Sequence, residues 1–281
     1  MGSNLETRVD EARKGNREAL EQVVRSIQGK VYGLAFRMLG YPPDAEDAAQ
    51  EILVKVITHL GDFRGESAFT SWVYRIAANH LLNIRKKRAE RLGITFQLWE
   101  DLIHKETGHR EVQVLPEAEE NLLAQEVRIG CMQGLLICLD RDLRLAFILG
   151  DVFEVTGKEG AYILEITPEA FRKRVSRGRK RLQAFMLKNC GLVNPQNPCR
   201  CDEQVYRDLR SGWIRRDKQH FAGRPCHDKK DPDVRELLKE LEEMVRVVTL
   251  FRSYPDYAAP DSFGVIVKNL IDSGRYKILT D

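Results

Sequence analysis

The chain has 281 residues, of which 31% are charged and 43% hydrophobic, with six cysteines and a formal net charge of +3, a length that suits two or three small soluble domains. No apolar run approaches the roughly 20 residues that span a bilayer, and MGSNLETRVD has neither a basic n-region nor an apolar core, so a cytosolic protein with no membrane segment is expected. In that compartment the cysteines argue against a disulfide framework. The small net charge hides segregation into basic clusters at 85–91 and 172–181 and an acidic stretch at 117–120.

Residues 5–40 read as two helices, with Leu20, Val23, Val24, Ile27, Val31, Leu34, Ala35, Met38 and Leu39 at three-four spacing. Gly40 ends the second, Pro42-Pro43 predict an extended break, and a third helix is expected from Asp44, where Glu46 and Asp47 suit its positive N-terminal end. Its buried stripe is Ala49, Ile52, Leu53, Val56, Ile57 and Leu60, opposite Asp47, Gln50, Glu51, Val54, Lys55 and Thr58. The loop DFRGES follows, and Ser67 is expected to cap a fourth helix over 68–89. Phe69, Trp72, Val73, Ile76, Ala77, Leu81 and Ile84 form its apolar side, with His80 packed among them, while Tyr74, Arg75, Asn79 and Asn83 face away. Phe63 and Arg64 in a loop beside tyrosine, arginine and asparagine are the composition that stacks and hydrogen-bonds unpaired bases.

Residues 93–120 carry Glu100, Asp101, Glu106, Glu111, Glu117, Glu119 and Glu120, an acidic stretch between the helical segments. Helices are expected at 121–139 and 142–153, with Cys131 and Cys138 at buried apolar positions. A short helix then breaks at Ile166-Thr167 and a second starts with Thr167 as N-cap and Pro168 at the first helical position, a helix-turn-helix signature. On the second helix Phe171, Val175, Gly178, Leu182 and Phe185 share one face and leave Arg172, Lys173, Arg174, Arg177, Arg179, Lys180 and Arg181 on the others. Such a rod suits a duplex groove, docked by counterion release from phosphates. Gly160 is expected to weaken the first helix by up to about 1 kcal/mol relative to alanine.

Beyond Lys188 the segment NCGLVNPQNPCRC marks a domain boundary. Cys190, Cys199 and Cys201, with His220, Cys226 and His227 following, allow two readings: a tetrahedral zinc site closed by Cys226 or a histidine, or reduced thiols. An amphipathic helix is expected over 232–251, with Val234, Leu237, Leu238, Leu241, Met244, Val245 and Val248 as its stripe. Another near 262–272 carries Phe263, Ile266, Val267, Leu270 and Ile271.

The segments DAEDAAQE at 44–51, FRGESAF at 63–69 and WVYRIAAN at 72–79 resemble the conserved regions of the first domain of extracytoplasmic-function sigma factors, small bacterial transcription initiation factors, and 166–182 is similar to the helix-turn-helix of their second domain. The resemblance covers roughly residues 15–188. It implies an all-α fold: a first sigma domain at 1–92, a flexible acidic linker at 93–120, a second sigma domain at 121–189, and a mostly helical, cysteine-containing extension at 190–281 with a regulatory or partner-binding role.

By the same resemblance Asp44, Asp47, Gln50, Glu51 and Lys55 would contact the polymerase clamp. Phe63, Arg64, Gly65, Glu66, Ser67, Tyr74, Arg75, Asn79 and Asn83 would capture the unpaired −10 element, and Thr167, Glu169, Arg172, Lys173, Ser176, Arg177 and Lys180 would read the −35 duplex. The implied partners are bacterial RNA polymerase core and promoter DNA, with an anti-sigma factor or another regulatory protein as candidate partner of the extension. No catalysis and no required cofactor are implied, a structural zinc being the one candidate. The chain departs from the family pattern at Gly160, usually apolar, and at Glu165, usually glycine. The rival reading is a helix-turn-helix regulator that acts on duplex DNA without replacing the primary sigma factor, normally as a symmetric dimer. The first-domain motifs favour the sigma reading, because a repressor needs neither polymerase docking nor single-strand capture.

Overall fold

The structure, a computed structural model, describes residues 2–105, 115–222, 234–239, 241–253, 259–260, 263–265 and 268–269, and among these the regular secondary structure is helical, joined by turns and loops, with one isolated bridge between Cys190 and Cys199. Helix α1 (Gly2–Arg13) leads into α2 (Arg17–Leu39), which Asn16 caps by accepting the Ala19 N–H at 3.0 Å. Gly40 closes α2 in the left-handed conformation, φ 68°. Helix α3 (Pro42–Thr58) starts two residues earlier than expected. Tyr41 is its extended N-cap, so Pro42 and Pro43 occupy the first helical positions, where a missing N–H costs nothing, and form no break.

A short 3₁₀ turn (Leu60–Asp62) precedes α4 (Phe69–Asn83), whose N-cap is Ala68 and which no side chain caps; Ser67 does not take that role. The helix stops at Asn83, so the basic run from Ile84 to Lys87 lies outside it and leads to the short α5 (Arg88–Arg91). The segment expected as a flexible linker contains α6 (Phe96–Lys105), because Phe96 and Trp99 give it an apolar face to bury. Phe96 lies against Phe185 with ring centroids 5.7 Å apart, and the Trp99 ring fills the space that a Cβ at Gly134 would occupy. Glu106 and Glu111 lie outside the described residues. Glu117, Glu119 and Glu120, also read as linker, form the first turn of α7 (Glu117–Ile137), at the end of the helix dipole that favours carboxylates.

Helix α8 (Arg141–Phe147) runs on into a π-helical turn (Ile148–Val152), followed by α9 (Gly157–Leu164) and α10 (Pro168–Asn189). In the extension come α11 (Cys201–Arg210), α12 (Val234–Leu238) and α13 (Glu243–Arg252). The last two replace the single helix expected over 232–251. Glu242 is extended, and the Arg246 guanidinium donates to the carbonyls of Leu241 and Val193, both at 2.8 Å, which fixes the break against the 190–200 loop. The break changes the buried set to Leu238, Val247, Leu250 and Phe251, and leaves Leu237, Met244 and Val245 exposed. Ile266, Val267, Leu270 and Ile271 lie outside the described residues.

One continuous apolar core runs from Val9 to Phe263, so the two expected sigma units share an interior. Three helix ends meet at its centre. Arg144, 2% exposed, donates to the Leu136, Ile137 and Leu139 carbonyls at the end of α7 (2.8, 3.0 and 2.9 Å) and to the Met38 carbonyl at the end of α2. Arg141 donates to the Leu82 and Ile84 carbonyls at the end of α4, at 3.0 and 2.6 Å. These carbonyls lie at helix ends, where the regular ladder of internal donors runs out, although Leu136 also accepts the Leu139 N–H at 3.1 Å. Glu90 joins the two arginines, accepting from Arg141 at 2.8 and 2.5 Å and from Arg144 at 3.2 Å. The extension adds aromatic wedges to both units: Phe221 on Phe36 (5.7 Å), Phe263 on Tyr32 (6.1 Å) and Phe251 on Phe147 (5.2 Å).

Candidate nucleic-acid interface

Helices α9 and α10 form a helix-turn-helix. Thr156 and Glu159 make a reciprocal capping box at the start of α9, with the Glu159 N–H on Thr156 Oγ1 at 3.3 Å and the Thr156 N–H on Glu159 Oε2 at 3.0 Å. Glu165 ends α9 in the left-handed region, φ 54°, and Thr167 caps α10 by accepting the Ala170 N–H at 3.1 Å. At Gly160 the two helices approach so closely that a Cβ would lie 2.3–2.5 Å from the Phe171 ring. The glycine expected to weaken α9 is therefore the point where α10 seats on it.

The inner face of α10 buries Phe171, Val175, Gly178, Leu182 and Phe185. Arg172, Lys173, Ser176, Arg177 and Lys180 project outward as exposed residues, with Thr167 and Glu169 exposed at the helix start. Four of the seven cations counted from sequence are paired within the chain: Lys173 meets Glu169 of its own helix at 2.7 Å, and three others meet aspartates of another element. Arg174 meets Asp142 at 3.3 Å, Arg181 meets Asp140 at 3.0 Å, and Arg179 grips the buried Asp151 with two donors, one at 2.8 Å. The Asp151 hydrogen bond holds the Arg179 guanidinium above its ordinary value. These partners lie in α8 and at its two ends, about 30–40 residues away, where helical spacing gives no signal.

The −10 candidates divide into an exposed and a covered set. Arg64, Gly65, Glu66, Asn79 and Asn83 are exposed, Ser67 is half-buried, and Gly65 takes φ 73° at the loop tip. Phe63, expected to stack on bases, is 6% exposed and packs edge-on against Phe69 (5.2 Å) and beside Trp72 (5.6 Å). It anchors the loop instead, because three aromatics close together bury more area in contact than apart. Tyr74, 8% exposed, stacks on Phe153 at 5.7 Å. The Arg75 guanidinium lies 5.1 Å from the Tyr162 ring centre and pairs with Glu165. Burial pulls Arg75 down, but hydrogen bonds to Tyr162 and Glu165 raise it above its ordinary value.

The polymerase candidates lie on α3. Asp47, Glu51 and Lys55 are exposed and Gln50 is half-buried, on the side away from Ile52, Leu53, Val56 and Ile57. The half-buried Asp44 accepts the Arg88 N–H at 3.0 Å. His80 is buried beneath this face; the Lys55 ammonium, which can only donate, is 2.8 Å from its Nδ1, and Glu51 is 3.6 Å from Nε2. Burial first, then the Lys55 charge, lowers the His80 pKa and favours the neutral ring.

In the extension, Cys190 and Cys199 face each other across the bridge, where the Gly191 N–H donates to the Cys199 carbonyl at 3.0 Å, and Cys201 opens α11 beside α7. Burial pushes the Cys199 thiol up to about 12 and also raises Cys131, Cys190 and Cys201, and the nearby Cys190 adds to the rise at the other three. Among the described residues no three histidine, cysteine or acidic side chains converge as a metal site. The His220 N–H is held by Glu126 at 2.6 Å, and Cys226 and His227 lie outside the described residues. Glu126, 1% exposed, also accepts the Phe221 and Ala222 N–H groups at 2.8 and 2.7 Å, an anchor that its mid-helix position gave no reason to expect. Among the described residues no helix is long and apolar enough to cross a membrane.

Residues 23–91 match the sigma-70 region 2 family. The RNA polymerase sigma-H factor of Pseudomonas aeruginosa is 30% identical over 172 residues, 61% of this chain and 88% of that protein. The ECF RNA polymerase sigma factor SigW of Bacillus subtilis is 27% identical over 187 residues, 65% of this chain and 97% of its own length. A solved structure of CnrH in complex with the cytosolic domain of CnrY covers 64% of this chain and 95% of that one at 23% identity, with a TM-score of 0.46. With its region 2 motifs, its helix-turn-helix and a relative matched over nearly its full length, the chain belongs to the extracytoplasmic-function RNA polymerase sigma factors.

Proposed function

We propose that this sigma factor docks on the polymerase clamp through Asp47, Gln50, Glu51 and Lys55 of α3, reads the −35 duplex with Arg172, Lys173, Ser176, Arg177 and Lys180, and captures unpaired −10 bases with the 63–67 loop and the outer face of α4. The observation that carries the reading is the outward row on α10, a cationic surface set on a helix whose opposite face is fully seated on α8 and α9. Asp44 contributes by holding the backbone of α5 against α3. Promoter opening would follow from tighter binding of flipped than of stacked bases, a shift of population in which no covalent bond changes. The protein would act in the cytoplasm, with residues 190–281 as a regulatory or partner-binding appendage.

The test is the double variant Asp47→Lys/Glu51→Lys, which removes two exposed carboxylates from α3 without touching its buried stripe. Pull-down with core polymerase should lose the complex while circular dichroism stays unchanged. Undiminished binding would move the clamp interface elsewhere. A duplex regulator that leaves the primary sigma factor in place would not compete for core at all, so displacement of another sigma factor separates the two readings.

A further inference from the structure

We infer that Glu165 and Glu154 are latches of a closed, promoter-occluding arrangement, in which the helix-turn-helix covers the Tyr74–Arg75 face of α4 and the C-terminal extension straps the two units together. The inference rests on the reading of that face as part of the −10 surface. Tyr74 cannot stack on a base while Phe153 occupies its ring at 5.7 Å, and the Arg75 guanidinium is engaged by Tyr162 and Glu165. Among the described residues the two non-glycine positions with positive φ are both glutamates, Glu154 at 56° and Glu165 at 54°. That conformation favours glycine and strains a residue with a Cβ.

Each of these two carboxylates reaches across a boundary. Glu165 pairs with Arg75 of the first unit, and Glu154 pairs at 2.9 Å with Arg252 of the extension, whose Nε also donates to the Asp151 carbonyl at 2.6 Å. Local backbone economy would place glycine at both sites, so the side chains are explained by what they hold. The strap itself touches both units: Phe263 and Phe221 lie on Tyr32 and Phe36 of α2, Phe251 lies on Phe147, and the Met244 carbonyl accepts from Gln183 of α10 at 3.2 Å. A chain that is mostly closed binds its partners with an affinity reduced by the open fraction.

The experiment uses the full chain carrying Glu154→Gly and Glu165→Gly. Glycine is at ease at both φ values, so the turns and the helix content by circular dichroism are retained while the two ion pairs are lost. Partly exposed pairs of this kind each shift an equilibrium about 1.5- to 5-fold, so the open-to-closed ratio should rise about 2- to 25-fold. Small-angle scattering should show a larger radius of gyration than for the native chain. With core polymerase present, a labelled pool of single-stranded DNA should bind the variant tighter by a factor in the same range, read by fluorescence anisotropy, because the closed arrangement covers the Tyr74–Arg75 face and leaves Asp47 and Glu51 of α3 exposed. Unchanged affinity for that pool overturns the latch, whatever the radius of gyration. Absence of single-strand binding in native and variant chains alike would strike the −10 reading, while a larger radius of gyration would still support the closed arrangement.

Discussion

Glutamine at position 90 isolates the charge at the centre of the fold. Glu90, Arg141 and Arg144 have side chains 7%, 18% and 3% exposed, and the carboxylate accepts bonds at 2.5, 2.8 and 3.2 Å from the two arginines. Breaking a pair this buried typically costs about 3–5 kcal/mol, because a charge is left without its partner. Here both guanidiniums keep their bonds to helix-end carbonyls, so the lower end, about 3 kcal/mol, is expected for Glu90→Gln. Urea unfolding followed by circular dichroism measures it; with a slope of about 3 kcal/mol/M the midpoint falls by about 1 M. Burial alone would raise the Glu90 pKa, but the hydrogen bond from Arg141 and the charges of Arg144 and Arg141 hold it below the ordinary 4.5. A depressed carboxylate contributes its stability above the unfolded pKa and loses it as pH falls through the folded one. The gap between native and Glu90→Gln proteins should thus be full above about pH 4.5 and close as the pH drops further. A loss below about 1 kcal/mol at neutral pH, or a gap that persists in acid, would refute the argument.

Gly160→Ala should destabilise the protein by about 1 kcal/mol in thermal unfolding, because overpacking against Phe171 outweighs the gain in helix propensity; stabilisation by a similar amount would contradict the close approach. Arg177→Ala should relax discrimination at particular −35 positions by about 1–3 kcal/mol in competitive promoter binding, with core affinity unchanged, and equal weakening on all promoters would mean that it contacts only phosphate. With its pKa near 12, the Cys199 thiol should alkylate at pH 8 roughly a thousandfold more slowly in the folded protein than in urea, whereas rapid labelling of the native chain would show a thiolate that the burial argument forbids.

The helices were legible where burial follows periodicity. The stripe Ala49, Ile52, Leu53, Val56, Ile57 and Leu60 and the inner face of α10 are buried as three-four spacing predicts. So were the local signals at the helix-turn-helix, since the Thr167 cap and Pro168 depend only on neighbours in sequence. Through-space relations were not legible. Phe63 has the composition of a base-stacking residue, yet Phe69 and Trp72 are near enough to claim it, and their spacing six and nine residues on was the available hint. Asp140, Asp142 and Asp151 neutralise part of the cationic helix from another element, and nothing local to α10 announces them. The same holds for α6, whose Trp99 needs Gly134 on α7 to make room, and for the α12–α13 break, which Arg246 fixes through Val193. Glu165 was visible as a departure from the family's glycine, but its partner Arg75 lies 90 residues away.

The most direct test of the account is transcription of sheared genomic DNA by bacterial core polymerase with and without the purified chain, with the 5′ ends mapped. The account predicts discrete start sites, present only with the chain and preceded by shared −10 and −35 elements, whose set changes with Arg177→Ala and disappears with Asp47→Lys/Glu51→Lys. Start sites indistinguishable from those of core polymerase alone, under conditions where the chain is folded and bound to core, would contradict it.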